Sequence, residues 1–362
     1  MPVSVMTSQE RVQRMFTRQP QDRVPRHDTY WPDTIARWKG EGLDGDASTV
    51  LAMLDSDYHA VCWTWPQPFP GRAEVIREDD TTQVIIDGHG KTVRRWKHRS
   101  GTPEHIAFGC DSRAKWENEY KPALLRSAVQ VNVAAARDAF DRGRAAGKWC
   151  HVDGIEGFEA TRALIGDEIA LMAMAEDPDW IRDISSTYCD LVLRYFDAVV
   201  DAGVDPDGVW IYGDMAFNHA TMCSPKMYRE LIWPDHKRLA DWAHAHGAKC
   251  IFHTDGNVNG VIDLYLEAGF DCLQPLESKA GMDIRQLAPR YGDRLAMFGN
   301  IDVMVMGSND LARIEHEVRT KFEARMAVRG YAYHSDHSVP PQVTWQTYQH
   351  LMQLIDRYGQ YE

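Results

Sequence analysis

The chain has 362 residues, 44% hydrophobic and 26% charged, a composition that suits a globular core and excludes disorder as its main state. Lys and Arg number 40 against 53 Asp and Glu, a net charge of −13 that argues against nucleic-acid or anionic-membrane binding. No apolar run approaches the roughly 20 residues needed to span a bilayer, and residues 1–18 carry charges where a signal peptide needs an apolar stretch. A cytoplasmic location is therefore expected. The seven cysteines have no C-x-x-C spacing, so they read as small core residues rather than a disulfide framework or zinc knuckle.

In chain order, eight short apolar segments read as buried strands: 24–30, 58–65, 149–153, 208–214, 249–255, 272–277, 295–300 and 331–335. Between the second and third lies an insertion at about 73–99. There an Asp87-Gly88 pair flanked by β-branched runs predicts a β-hairpin or small meander that could cover one mouth of the fold or simply an edge. From the fourth strand onward, helical patterns at 224–246, 258–268, 283–291 and 309–328 separate the strands. Strand and helix alternating through short loops predict parallel β/α architecture. With eight strands, the expectation is a single (β/α)8 barrel spanning 1–362, with the hairpin inserted after the second strand.

Active sites of such barrels form at the carboxyl ends of the strands. That rule selects His27, Asp28 and Tyr30; Trp63 and Trp65; Asp153 and Glu156; Tyr212 and Asp214; His253 and Asp255; Glu277; Asn300 and Asp302; and His334, Asp336 and His337. Acids gathered at one mouth repel one another, which points to a bound cation or acid–base chemistry. Some of them, Asp153 and Asp302 above all, are expected to cap the following helices instead. The sharpest cluster is His253-Thr254-Asp255-Gly256, in which strand alternation turns His253 and Asp255 to one side. Imidazole and carboxylate both ligate divalent transition metals, zinc foremost, and Glu277 and His337 are expected to complete the site. Phosphate-loop, dinucleotide-binding and G-x-S-x-G motifs are absent.

Several stretches resemble the uroporphyrinogen decarboxylase superfamily. They are Glu10-Arg11-Val12 with Asp22-Arg23-Val24-Pro25, Phe252 through Val258, Leu276-Glu277 with Gly281-Met282-Asp283, and Tyr291 through Leu295. Phe298 through Asp302 and Gly330-Tyr331 through Pro341 complete the set, in the expected order. The resemblance implies a (β/α)8 barrel, and its members include the haem-pathway decarboxylase and methyltransferases that pass a methyl group to a corrinoid protein or a thiol. The decarboxylase opens with an arginine-rich segment that grips its substrate's carboxylates. Here the corresponding residues are Arg26-His27-Asp28-Thr29-Tyr30-Trp31-Pro32, so the methyltransferase branch is the closer match. That branch builds a zinc site from H-x-C and a late Cys, positions that His253, Asp255 and His337 occupy in this sequence.

The expected activity is thus metal-dependent methyl transfer from a small methylated substrate. His253, Asp255, His337 and Glu277 would bind the metal, with Glu277 also the candidate acid. Asp214 and Tyr212 would orient the substrate, and His27, Tyr30, Trp63, Trp65 and Asn300 would contact it. A D-x-H-x-x-G corrinoid fingerprint is missing, so any corrinoid would arrive on a partner protein. The family also implies a homodimer. A metal-free decarboxylase or lyase acting on a small acid is the alternative, and a non-catalytic binding barrel stands behind both.

Overall fold

A computed structural model describes residues 6–127, 132–326 and 328–361. Its centre is a curled parallel sheet of seven strands. In chain order these are β1 (Tyr58–Thr64), β6 (Trp149–Ile155), β7 (Gly208–Tyr212), β8 (Lys249–Thr254), β9 (Cys272–Pro275), β10 (Ala296–Phe298) and β11 (Tyr331–Ala332), each pairing with the next. Helices between the strands pack on the outer face, in the manner of β/α units. Among the described residues, no helix is long and apolar enough to cross a membrane.

Residues 24–30 do not form the expected eighth strand. Pro25 has no N–H to give to a ladder, and the donors around it go to separate partners. Val24 N–H donates to Gly359 O at 2.8 Å, Arg26 N–H to the Asp57 carboxylate at 2.8 Å, and His27 N–H to Tyr333 O at 3.0 Å. Single parallel bridges pair Arg26 with Tyr333 and Tyr30 with Val339, and Asp57 N–H reaches Arg26 O on the other side. The segment therefore links β11 to the start of β1 through isolated bonds. The expected helix at 224–246 is also divided, into Pro225–Leu231 and Trp233–Ala245. Pro234 cannot continue a preceding helix, but it sits comfortably in the first turn of the second one.

The insertion after β1 is larger than a hairpin. β2 (Glu74–Glu78), β3 (Thr82–Ile86), β4 (Lys91–Trp96) and β5 (Glu104–Phe108) make a four-stranded antiparallel sheet in sequential order. The added strand follows from a further reversal at residues 97–103, after which Phe108 pairs with Lys91.

Inward-facing residues of alternate positions fill the bore, as expected of a packed barrel interior. The helix Ser8–Thr17 plugs its amino-terminal end with Val12, Met15 and Phe16, spaced to share one face and all buried. They meet Tyr58, Trp149, Trp210, Ile251 and Phe298 from the strands. Phe16 stacks on Trp149 with ring centroids 5.7 Å apart, and Tyr58 on Phe298 at 4.6 Å.

A buried ion-pair clamp ties the plug to the sheet. Asp57, fully buried, accepts from Arg11 Nη1 at 2.6 Å and from Arg23 Nη1 at 2.7 Å as well as from Arg26 N–H. Arg11 also forks onto both Asp22 oxygens at 2.6 and 2.7 Å. Removing one member of such a network leaves buried charge uncompensated. Asp57→Ala should lower the unfolding free energy by about 3–5 kcal/mol, measured by urea denaturation; a loss below about 1 kcal/mol would show that the clamp behaves as a surface pair.

Candidate functional site

A cavity of about 690 Å³ opens at the carboxyl ends of the strands. The deep part of its lining comes from Trp210, which belongs to the plug layer, and from His27, His151 and His334, which stand above it. The His151 ring lies 5.8 Å from that of Trp149, and His334 lies 5.5 Å from Phe298. Nearer the mouth stand Trp63, Trp65, Tyr212, Asp214, His253, Asp255 and His337, with residues 101–103 of the insertion on the rim. Trp63 and Tyr212 are both more than a third exposed and meet edge to face with centroids 5.5 Å apart.

Asp214, His253 and Asp255 each offer a ligand atom, and these atoms lie within 4.8 Å of one another. Backbone geometry brings them together. The ladder from β7 to β8 continues as Gly213 N–H to His253 O at 3.0 Å, and Asp255 N–H then donates to Asp214 Oδ1 at 3.0 Å. Just beyond, Gly256 turns with φ +83°, and an added Cβ would stand 2.4 Å from Ala216 O. Only glycine fits there without strain. His253 is held on both sides, since its ring stacks on Tyr212 with centroids 3.5 Å apart and its Nδ1 donates to Gln274 Oε1. That bond leaves Nε2 as the acceptor nitrogen, 3.7 Å from Asp214 Oδ1. His337 Nε2 stands 3.6 Å from Asp255 Oδ2.

Burial and neighbouring charge tune the cluster. Burial lowers the His253 pKa, favouring the neutral imidazole that binds metals. Burial, followed by repulsion from Asp214, pushes the Asp255 carboxyl up to about 7, although His337 acts in the opposite direction. Burial also raises the Tyr212 hydroxyl, and the Asp255 and Asp214 charges add to that rise.

The remaining expected site residues have other places. Glu277 does not join the cluster: its Oε2 accepts from Gly256 N–H at 2.7 Å and its Oε1 pairs with Lys279 Nζ at 2.9 Å. Asn300 is fully buried away from the cavity, where its amide donates to Leu276 O and Met282 O and accepts from Ile284 N–H. Tyr30 gives its hydroxyl to a bond with Tyr348 at 2.8 Å, behind the cavity wall. His27, Trp63 and Trp65 do line the cavity. Asp302 caps a helix by accepting from Met304 N–H at 2.7 Å, whereas Asp153 caps none and pairs with His151.

His151, Trp210, Gln274 and Trp31 also line the cavity and were not singled out from the sequence. A signal for His151 was present, since His151-Val152-Asp153-Gly154 repeats the spacing of His253-Thr254-Asp255-Gly256 within another strand.

The sequence model of the uroporphyrinogen decarboxylase (URO-D) family matches residues 161–358. No curated protein sequence matches the chain. Among solved structures, a methyltransferase from Methanosarcina mazei superposes with a TM-score of 0.68 at 14% identity, over 98% of this chain and 99% of that one. At this identity the likeness is one of fold. A β-1,4-mannanase of family GH113 follows at TM-score 0.42 and 9% identity, covering 93% of this chain and 99% of that one. A quadruple mutant of an α-N-acetylgalactosaminidase from Bifidobacterium bifidum gives 0.37 and 11%, covering 98% and 53%.

In metal-free protein the raised Asp255 carboxyl has a definite sign. The folded state keeps a proton that the unfolded chain releases near pH 4, so its stabilising contribution is complete below that pH and is lost as the pH rises through about 7. Asp255→Asn does not titrate. In chelator its melting temperature should match the wild type at pH 4 and exceed it at pH 8; equal values at pH 8 would contradict the raised Asp255 carboxyl.

Proposed function

The chain belongs to the uroporphyrinogen decarboxylase family, and on that premise we propose that it is a metal-dependent methyltransferase acting on a small methylated substrate. The methyl group would pass to a corrinoid carried by a partner protein or to another acceptor. The observation that carries this reading is the Asp214–His253–Asp255 group on the cavity wall, with His337 beside it.

These residues suit a divalent transition ion. Asp255 Oδ1 is buried without a hydrogen-bond partner, and the anchored His253 ring presents Nε2 to the two carboxylates. Nitrogen and oxygen donors of this kind fit zinc, with iron, manganese and nickel as competitors. Asp214, His253, Asp255 and His337 would hold the ion. When bound, it supplies Lewis acidity that polarises a methoxy, amine or hydroxyl leaving group.

The protein's own groups do the positioning. Gln274 and Tyr212 fix the plane of the His253 ring, so that the nitrogen facing the carboxylates has one orientation. Glu277 acts through the Gly256 amide, holding the turn that carries Asp255, which is a positioning role in place of the acid or ligand role expected. Trp63, Trp65 and Trp31 give the cavity flat apolar walls against which a small substrate can lie while its polar atoms reach the acids. The exposed faces of Trp63, Tyr212 and Phe217 offer apolar surface near the mouth for a docking corrinoid protein.

The direct test supplies free cob(I)alamin as acceptor together with a panel of methoxyarenes and methylamines. Wild-type protein should form methylcobalamin, followed by its absorption spectrum. His253→Ala, folded by circular dichroism, should be slower by about 100-fold or more. Carbon dioxide release from a small acid, unchanged by chelator and without any methylcobalamin, would replace this reading with the lyase one.

A further inference from the structure

Three buried polar atoms in the deep part of the cavity have no hydrogen-bond partner: His151 Nε2, His334 Nε2 and Trp210 Nε1. All three side chains are more than nine-tenths buried. Buried polar atoms in folded proteins are nearly always paired, so these three orphans at the deep end point to a ligand group that can both donate and accept.

The bonds made by the opposite ring nitrogens decide what each orphan can do. His334 Nδ1 lies 2.5 Å from Ser335 O, and a carbonyl only accepts, so Nδ1 carries the proton and Nε2 has a bare lone pair. Burial keeps this ring neutral. His151 Nδ1 lies 2.6 Å from Asp153 Oδ1. With Asp153 ionised, which the His151 contact favours against the upward push of burial, its oxygen takes that N–H and Nε2 is again the acceptor. Trp210 Nε1–H can only donate, and its ring stands 5.1 Å from that of His151. The subsite thus offers two acceptors and one donor.

A carboxylate is a poor match. It would present lone pairs to two bare nitrogens in a cavity already lined by Asp153, Asp214 and Asp255. An ammonium group could donate but could not accept from Trp210. A hydroxyl does both, donating its proton to one imidazole while its oxygen accepts from the indole. The aromatic residues along the walls favour a flat body attached to it.

We infer that the deep end of the cavity is a hydroxyl-recognition subsite, formed by His151, His334 and Trp210, and that the substrate is an aromatic compound whose free hydroxyl seats there. This rests on the cavity being the substrate site proposed above, but it requires no metal.

The test uses protein freed of metal with chelator, so that failure of the metal reading does not affect it. Guaiacol and anisole serve as probes; they differ by the hydroxyl, and anisole fits wherever guaiacol does. Calorimetry should find guaiacol at least about tenfold tighter than anisole, with benzoate weaker than guaiacol. The preference for guaiacol should disappear in His334→Leu. In protein labelled with ¹⁵N-histidine, the Nε2 signals of His151 and His334 should be of the unprotonated, pyridine type, and guaiacol should shift both. Asp153→Asn, which can offer an amide N–H to Nδ1, should turn the His151 Nε2 signal to the protonated type. Equal affinities for guaiacol and anisole, no binding of either, tighter binding of benzoate, or protonated-type Nε2 signals in the wild type would each overturn the inference. The wild-type measurements stand alone if the His334 variant fails to fold.

Discussion

The curled sheet, its plugging helix and the bridging segment 24–30 meet at Asp57. Its backbone N–H reaches Arg26 O, its carbonyl accepts from Trp149 N–H, and its carboxylate gathers Arg11, Arg23 and the Arg26 amide. One residue therefore joins the plugging helix, the bridging segment and the first two strands of the main sheet. Burying a carboxylate is costly unless it is paired and hydrogen-bonded, and two guanidiniums plus an amide meet that condition. The consequence reaches the cavity. With residues 24–27 held between β11 and β1, His27 stands 6.0 Å from His334 in ring-to-ring distance and 6.2 Å from Trp210, completing the deep wall.

Above that wall, the same three-residue spacing has three fates. His151-x-Asp153 lies within β6, His253-x-Asp255 at the end of β8 and His334-x-Asp336 just beyond β11. In the first, histidine and acid bond directly at 2.6 Å. In the second, Gln274 anchors the histidine, and the acid is left beside Asp214 with one oxygen unpaired. In the third, Asp336 accepts from Ser278 N–H and Val303 N–H, both at 2.9 Å, and becomes a loop fastener. The difference lies in which neighbouring loop brings N–H groups within reach of the carboxylate.

Much of this architecture was legible in the sequence, because periodicity and apolar runs report directly on burial. Seven of the expected strands stand where the apolar runs lie, and the inward direction of His253 and Asp255 followed from strand alternation. Residues 24–30 misled because the segment does follow an extended path, but the sequence does not tell whether its amides enter a ladder. The assignments to Glu277, Asn300 and Tyr30 came from proximity to strand ends. Position along a strand does not reveal that Gly256 N–H occupies Glu277, or that Tyr348 takes the Tyr30 hydroxyl. The motifs Glu10-Arg11-Val12 and Asp22-Arg23-Val24-Pro25 were among those that carried the family resemblance, and in this structure Arg11, Asp22 and Arg23 belong to the clamp and not to the site.

The claim at the centre of this account is that Asp214, His253 and Asp255 hold a divalent ion. Elemental analysis of protein purified without a metal-affinity tag tests it most directly, followed by titration of the stripped protein with zinc, cobalt and iron. The account predicts about one transition ion per chain, absent from His253→Ala and retained in a variant of the deep subsite such as His334→Leu. A protein that binds none of the three ions, or a His253→Ala variant that binds as tightly as the wild type, would contradict it.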